Sequence, residues 1–315
     1  MTKRGLVTII FALILLNVFT LIFSGGKKES QNDSPSNKFN EVNEDNSNFS
    51  GKNVSSSEDA VANFGEESIT YGEWMKSLRD THGKEHLETM ILKHLVKRFA
   101  EEKNLEVNPK VLEREVSFLT TMSGVMSDDQ LEEQKKEWEE ELTFRHQLES
   151  FLTEDVQVSD EEAQSHYASY KNQYNFTASY QLSHIVVDDM RTAEKIISEL
   201  EEGAQFSLLA QEYSTDEDTR DVGGYLGYFT KESQFVPYGY PEVVDGLDEQ
   251  SYSDPINLGD RVAIVYLHRD LPEVKSSFEE SKGEILRELA MKQVDQNQRI
   301  EELWTQLGIE WIFDK

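Results

Sequence analysis

Eight consecutive residues, Tyr180-Gln181-Leu182-Ser183-His184-Ile185-Val186-Val187, constrain the fold of this chain more than any other segment. Their aromatic and β-branched side chains suit a pleated, buried surface and read as a strand, whereas most of residues 61–175 is patterned as helix. Two amphipathic helices follow the strand. Arg191 to Glu202 repeats apolar residues at Ala193, Ile196, Ile197 and Leu200, and Phe206 to Tyr213 repeats them again after a break at Gly203. A charged loop, a glycine-rich turn through Tyr225-Leu226-Gly227-Tyr228-Phe229 and a closing strand at Val262 to Leu267 complete the unit. This order predicts a compact α+β domain over residues 178–271.

The helical region, residues 61–175, carries its own start signals. Val61-Ala62-Asn63-Phe64-Gly65 reads as a short strand and turn. Thr70 and Glu73 fit a capping box, in which each side chain satisfies the other's backbone N–H, and open a helix expected to end near His82-Gly83. A second helix is read from Lys84 to Lys103, and a third opens with Asn108 as cap and Pro109 in the first position. Asp128 to Tyr174 is expected to form two helices that break near Val158, where Ser159-Asp160-Glu161-Glu162 is another capping box. Its acidic stretch, Asp128 to Glu141, is a solvated helix face with Trp138 turned to the core, the alternative being a peptide-binding groove. One helix from about Phe278 to Leu307 is predicted after Pro272. Trp304, Leu307, Ile309 and Trp311 are too apolar to stay in solvent, so residues 272–315 are expected to pack on the helical region.

Gly5 to Phe23 is uncharged and apolar, and as a helix it would reach roughly 28 Å, close to the thickness of a bilayer core. Lys3 and Arg4 favour keeping residues 1–4 in the cytoplasm and sending the rest across, and Lys27 and Lys28 pull the other way. The expectation is a transmembrane anchor over residues 5–24, single-pass in the cell membrane, with the bulk of the chain extracytoplasmic. The alternative is a cleaved signal peptide, for which Phe23-Ser24-Gly25-Gly26 is a poor cleavage site. Residues 25–60 are expected to be a disordered linker: half of the 30 residues from Glu29 to Glu58 are Ser or Asn, too little apolar surface to offset the entropy of ordering.

Composition narrows the chemistry. With 61 acidic against 31 basic residues, a formal charge of −30, the chain is unsuited to a phosphate backbone, and no nucleic-acid partner is expected. The absence of cysteine rules out disulfides, thiolate chemistry and a cysteine-linked lipid. His82 and His86 stand four apart, but with a helix end expected at Gly83 and no His-Glu-x-x-His pattern, no metal is expected.

Residues Leu182 to Leu267 resemble the parvulin family of peptidyl-prolyl isomerases, through several features in the right order. These are Ser183-His184-Ile185, then Gly203-x-x-Phe206-x-x-Leu209-Ala210 leading to Tyr213-Ser214-x-Asp216, then Gly223-Gly224-x-Leu226-Gly227-x-Phe229. Gln234-x-Val236-Pro237 and Ser253-Asp254-Pro255 follow. The plan of anchor, helical region, one parvulin module and C-terminal helix is similar to the extracytoplasmic foldases of Gram-positive bacteria, the PrsA type. Those are usually lipoproteins, and here Gly26 stands where the lipid-bearing cysteine would be expected.

The resemblance implies a fold, an activity and a site. The fold is a parvulin (FKBP-like) α/β module beside a mainly helical chaperone domain. The activity is prolyl cis-trans isomerisation, which needs no cofactor, only relief of an amide barrier of roughly 18–20 kcal/mol. An apolar pocket that takes the proline ring and removes the carbonyl from water would favour the twisted amide. By resemblance, Leu226, Phe235 and Tyr240 line that pocket with Gln234 beside it, and His184 with Asp216, or the adjacent Glu217, forms the polar network. The second family histidine, on the last strand, is missing from Gly259-Asp260-Arg261-Val262-Ala263-Ile264-Val265, and His268 lies farther along, outside the pocket. The implied partners are unfolded or partly folded secreted polypeptides. A binding-only chaperone with a degenerate module is the alternative.

Overall fold

The computed structural model describes residues 56–313, and two compact units divide between Lys76 and Ser77. The expected anchor and nearly all of the expected linker lie outside the described residues. Among the described residues, no helix is long and apolar enough to cross a membrane.

In the first unit, β1 (Ala60–Phe64) and β2 (Glu67–Thr70) form an antiparallel hairpin. Thr70 and Glu73 exchange the capping-box bonds, Glu73 Oε2 accepting from Thr70 N–H at 2.9 Å and Thr70 Oγ1 from Glu73 N–H at 3.3 Å. Within the span expected as linker, the carbonyls of Ser57 and Asp59 accept from Gly72 and Tyr71 N–H at 2.8 Å each.

The capping box opens α1 (Tyr71–Lys103), which runs unbroken where two helices were expected. Gly83 costs about 1 kcal/mol against alanine inside a helix, but its missing side chain leaves room for others. A Cβ there would stand 3.0 Å from Arg79 Cγ and 3.5 Å from the Phe313 ring, so the C-terminal residues pack where the helix was expected to end. His82 and His86 therefore do share one helix face, yet no group of three potential metal ligands is found among the described residues.

Next come α2 (Pro109–Met122), α3 (Asp128–Leu152) and α4 (Asp160–Tyr170), with Asn108, Ser127 and Ser159 as caps. Ser159 accepts from Glu162 N–H at 3.1 Å, a one-way cap where a reciprocal box was expected.

Then β3 (Ser179–Val187), α5 (Met190–Glu201), α6 (Phe206–Tyr213), β4 (Tyr225–Thr230), the single turn α7 (Pro241–Val244), β5 (Ser251–Tyr252), β6 (Ile256–Asn257) and β7 (Val262–Leu271) form the mixed part. Strand order is β4-β3-β7-β5, with β6 also on β7, all antiparallel. β3 is central and buried at every residue, its register with β7 running from Ser179↔Leu271 to Val187↔Val262.

Side chains alternate across a strand, so β3 divides its residues between two cores. Ile185 and Val187 pack with Ala193, Ile196 and Leu200 of α5 and Phe206, Leu209 and Ala210 of α6. Tyr180, Leu182 and Val186 pack on the other face with Val236, Tyr240 and Val244.

The C-terminal segment forms two helices, α8 (Phe278–Met291) and α9 (Gln296–Leu307), where one was expected. Asp295 accepts from the N–H groups of Asn297 and Gln298, both at 3.1 Å, and this cap restarts the helix four residues after the first ends. Ile285 and Leu289 of α8 pack with Ala163 and Tyr174, and Leu303 of α9 with Val96, Phe151 and Leu152. The C-terminal helices thus lie on the earlier ones.

At the meeting of α2, α3 and α8 sits a buried polar cluster. Arg114, 3% exposed, donates to both Glu284 oxygens at 3.0 and 2.6 Å. Glu115 accepts from Arg145 and lies 3.0 Å from His146 Nε2, while Arg287 donates to His146 Nδ1 at 3.1 Å.

Candidate active site

The middle of β3 fixes the first candidate side chain. His184 is 7% exposed and lies on the face that carries Leu182 and Val186, opposite the two amphipathic helices. Its register partner on β7 is Val265, which offers the ring no polar group.

Asp216 comes to His184 because the loop after α6 is bonded to the same strand. Thr215 N–H donates to the Val186 carbonyl at 2.7 Å, and Ser214 Oγ accepts from Val186 N–H at 3.2 Å. This delivers Asp216 Oδ2 to 2.9 Å from His184 Nε2. Glu217, the alternative, is exposed. Thr219, one turn on, donates to Asp216 Oδ2 and lies 3.1 Å from His184 Nε2. Burial raises the Asp216 carboxyl, but the hydrogen bonds from Thr219 and His184 outweigh it and hold the group below the usual carboxylate range. Thr219 was missed by the sequence reading. Its signal was a hydroxyl three residues after the aspartate in a charged loop, the spacing at which a threonine bonds back to a carboxylate.

Glycine closes the site from behind. Gly224 has φ +78, and a Cβ there would lie 2.1 Å from the His184 carbonyl oxygen. The missing side chain lets the Gly224 carbonyl accept from His184 N–H at 2.8 Å, while Gly224 N–H donates to the Thr219 carbonyl at 2.8 Å. Gly224 thus ties Thr219 and His184 together.

The expected pocket residues separate. Leu226 packs partly buried against the cluster that holds Tyr240, which is 1% exposed. Gln234 is exposed and Phe235 is 88% exposed. The loop between β4 and α7 explains this, because Val236 and Tyr240 take its two buried apolar positions and turn Phe235 and Tyr238 to solvent. Leu226, Phe235 and Tyr240 therefore do not form one preformed wall. Tyr240 instead lies beneath the surface, its Oη 2.7 Å from His184 Nδ1.

His268 is on the other face. Ser183, next to His184 but pointing oppositely, has its Oγ 2.7 Å from His268 Nε2. Burial, then the nearby Arg269, pulls the His268 ring down to about 4, so it is a neutral partner of Ser183 above that pH and not of His184.

Residues 158–283 match the family model described as a PPIC-type PPIase domain. The chain is 33% identical over 82% of its length to YacD of Bacillus subtilis, which carries a peptidyl-prolyl cis-trans isomerase name, and the match spans 88% of that protein. It is 30% identical to the foldase protein PrsA of Oceanobacillus iheyensis, over 82% of this chain and 87% of that one. A crystal structure of PrsA from Bacillus cereus aligns over 82% of this chain and 96% of its own at 22% identity, with a TM-score of 0.29.

Proposed function

The chain belongs to the parvulin family of peptidyl-prolyl isomerases, and from that premise we propose that it is a foldase held at the cell membrane, turning prolyl bonds in secreted polypeptides outside the cytoplasm. The observation that carries the reading is the hydrogen-bonded set Asp216, His184 and Tyr240, built on the central strand beside Leu226. In this reading His184 and Asp216 are the catalytic polar pair. Leu226 receives the proline ring, and Gln234 and Phe235 contact the flanking chain from the exposed loop. The amide loses water on entering this apolar surface, which weakens the planar resonance form relative to the twisted one. Residues 5–24 serve as the anchor and 25–60 as the tether. Residues 61–175 with 272–315 form the chaperone domain that holds unfolded segments near the module, residues 178–271.

The loop assignment is open to a direct test. Phe235 makes little use of its surface in the free protein, so Phe235→Ala should leave stability within about 0.5 kcal/mol. It should lower kcat/KM for an X-Pro peptide by about tenfold, the equivalent of roughly 1.4 kcal/mol of lost contact, chiefly through KM. Peptide isomerisation kinetics beside a denaturation curve give both numbers, and an unchanged KM removes Phe235 from the substrate site.

A further inference from the structure

We propose that Tyr240 is a positioning residue, not a pocket wall: its hydroxyl donates to His184 Nδ1 and holds the ring in one tautomer, with the proton on Nε2. The inference rests on the reading of His184 as catalytic, and it follows from counting donors and acceptors around one imidazole.

Asp216 Oδ2 lies 2.9 Å from His184 Nε2, and an ionised carboxylate can only accept. Thr219 spends its own proton on the same Oδ2, so its oxygen, 3.1 Å from Nε2, is also an acceptor toward the ring. Both neighbours require hydrogen on Nε2. A neutral ring then has its lone pair on Nδ1, and the group facing that lone pair is the Tyr240 hydroxyl at 2.7 Å. Burial, then the Asp216 charge, raises the phenol, so it keeps its proton at physiological pH and is a donor.

The alternative arrangement fails on the same count. If the ring were an imidazolium, Nδ1–H would donate to the tyrosine oxygen, and the phenolic hydrogen would need another acceptor. Among the described residues, the hydroxyl of Tyr240 has no hydrogen-bond partner besides His184, and the side chain is buried. A buried donor left unmade is costly. The elements packed on His184 bring Asp216 and Thr219 from the loop after α6, Tyr240 from the start of α7 and apolar Val265 from β7. The last strand therefore supplies no partner for Nδ1, and the residue just ahead of α7 supplies it instead. Tyr240 is held for this: its N–H donates to the Pro237 carbonyl at 3.2 Å, and Pro241 opens α7 immediately after it.

The test is Tyr240→Phe in the full chain, which keeps the ring in its cluster and deletes the one hydroxyl. The expected result is a fall in kcat of about tenfold, matching the loss of one hydrogen bond to the ring, with KM changed less than about twofold. In the wild type, nitrogen-15 spectra of the histidines should show His184 Nδ1 as an unprotonated, bond-accepting nitrogen and Nε2 as protonated. In the variant the Nδ1 signal should lose the shift that marks an accepted hydrogen bond. An unchanged kcat, or a rise in KM alone, overturns the proposal in favour of a pocket wall. Should the variant fold poorly, the wild-type spectrum decides: a proton on Nδ1 overturns it. A wild type that is folded but inactive would sink the catalytic reading of His184, while the tautomer measurement would still judge the Tyr240 bond.

Discussion

Gly224→Ala abolishes isomerase activity and lowers stability by about 3 kcal/mol or more, the range reached when strain and a lost packing arrangement coincide. Two separate costs add at this position. The backbone sits at φ +78, where an L side chain is strained, and the new Cβ would stand 2.1 Å from the His184 carbonyl oxygen, a separation that cannot persist. The atom it meets is backbone of the central strand, so relief requires moving β3 or the loop. Either movement breaks the 2.8 Å bond between His184 N–H and the Gly224 carbonyl and disturbs the adjoining bond to Thr219. Denaturant titration and peptide kinetics on the same sample measure both effects. A variant with near-normal stability and activity would mean that the loop is not held as described.

Arg114→Met destabilises by about 3–5 kcal/mol, because it leaves the half-buried Glu284 carboxylate without its cation. Arg114 is 3% exposed and grips both oxygens of Glu284, joining α2 to α8. Adding Glu284→Leu to Arg114→Met should recover most of that loss, since a buried pair replaced by apolar groups is often close to neutral. A double-mutant cycle by guanidinium denaturation measures the difference, and a double variant no more stable than Arg114→Met alone contradicts the pairing. Acid should expose the same cluster. Burial raises the Glu115 carboxyl, but His146 and the arginines outweigh it and bring the group from 4.5 down to about 2. A depressed carboxylate stabilises the fold above its unfolded value, so this contribution is present above pH 4.5 and is lost as pH falls toward about 2.

Much of the mixed domain was legible because its signals are local and agree with one another. The β-branched run of β3, the apolar spacing of α5 and α6, and the glycines before β4 each point to a structure that long-range packing also favours. The helical parts were legible in type and less so in extent. Gly83 reads as a stop in sequence, yet α1 runs through it with the Phe313 ring close by, a long-range neighbour that no local signal announces. Asp295 was the reverse case, a cap hidden inside a run that otherwise reads as helix. In the site, the approach of Asp216 to His184 followed the motif. The bond from Tyr240 did not, because it depends on which loop residues take the buried positions: Val236 and Tyr240 do, and Phe235 is left outside.

His184 and its hydrogen-bonded partners are the proposed centre of prolyl isomerisation. The measurement that tests this most directly is isomerisation of a short X-Pro peptide by the full chain beside its His184→Ala variant, both checked for native circular dichroism. Acceleration by the wild type that falls by at least about tenfold in the variant is the predicted result. A folded wild type that leaves the peptide at its uncatalysed rate, or a folded variant as fast as the wild type, would contradict it, the first leaving a chaperone that binds without turning prolines over.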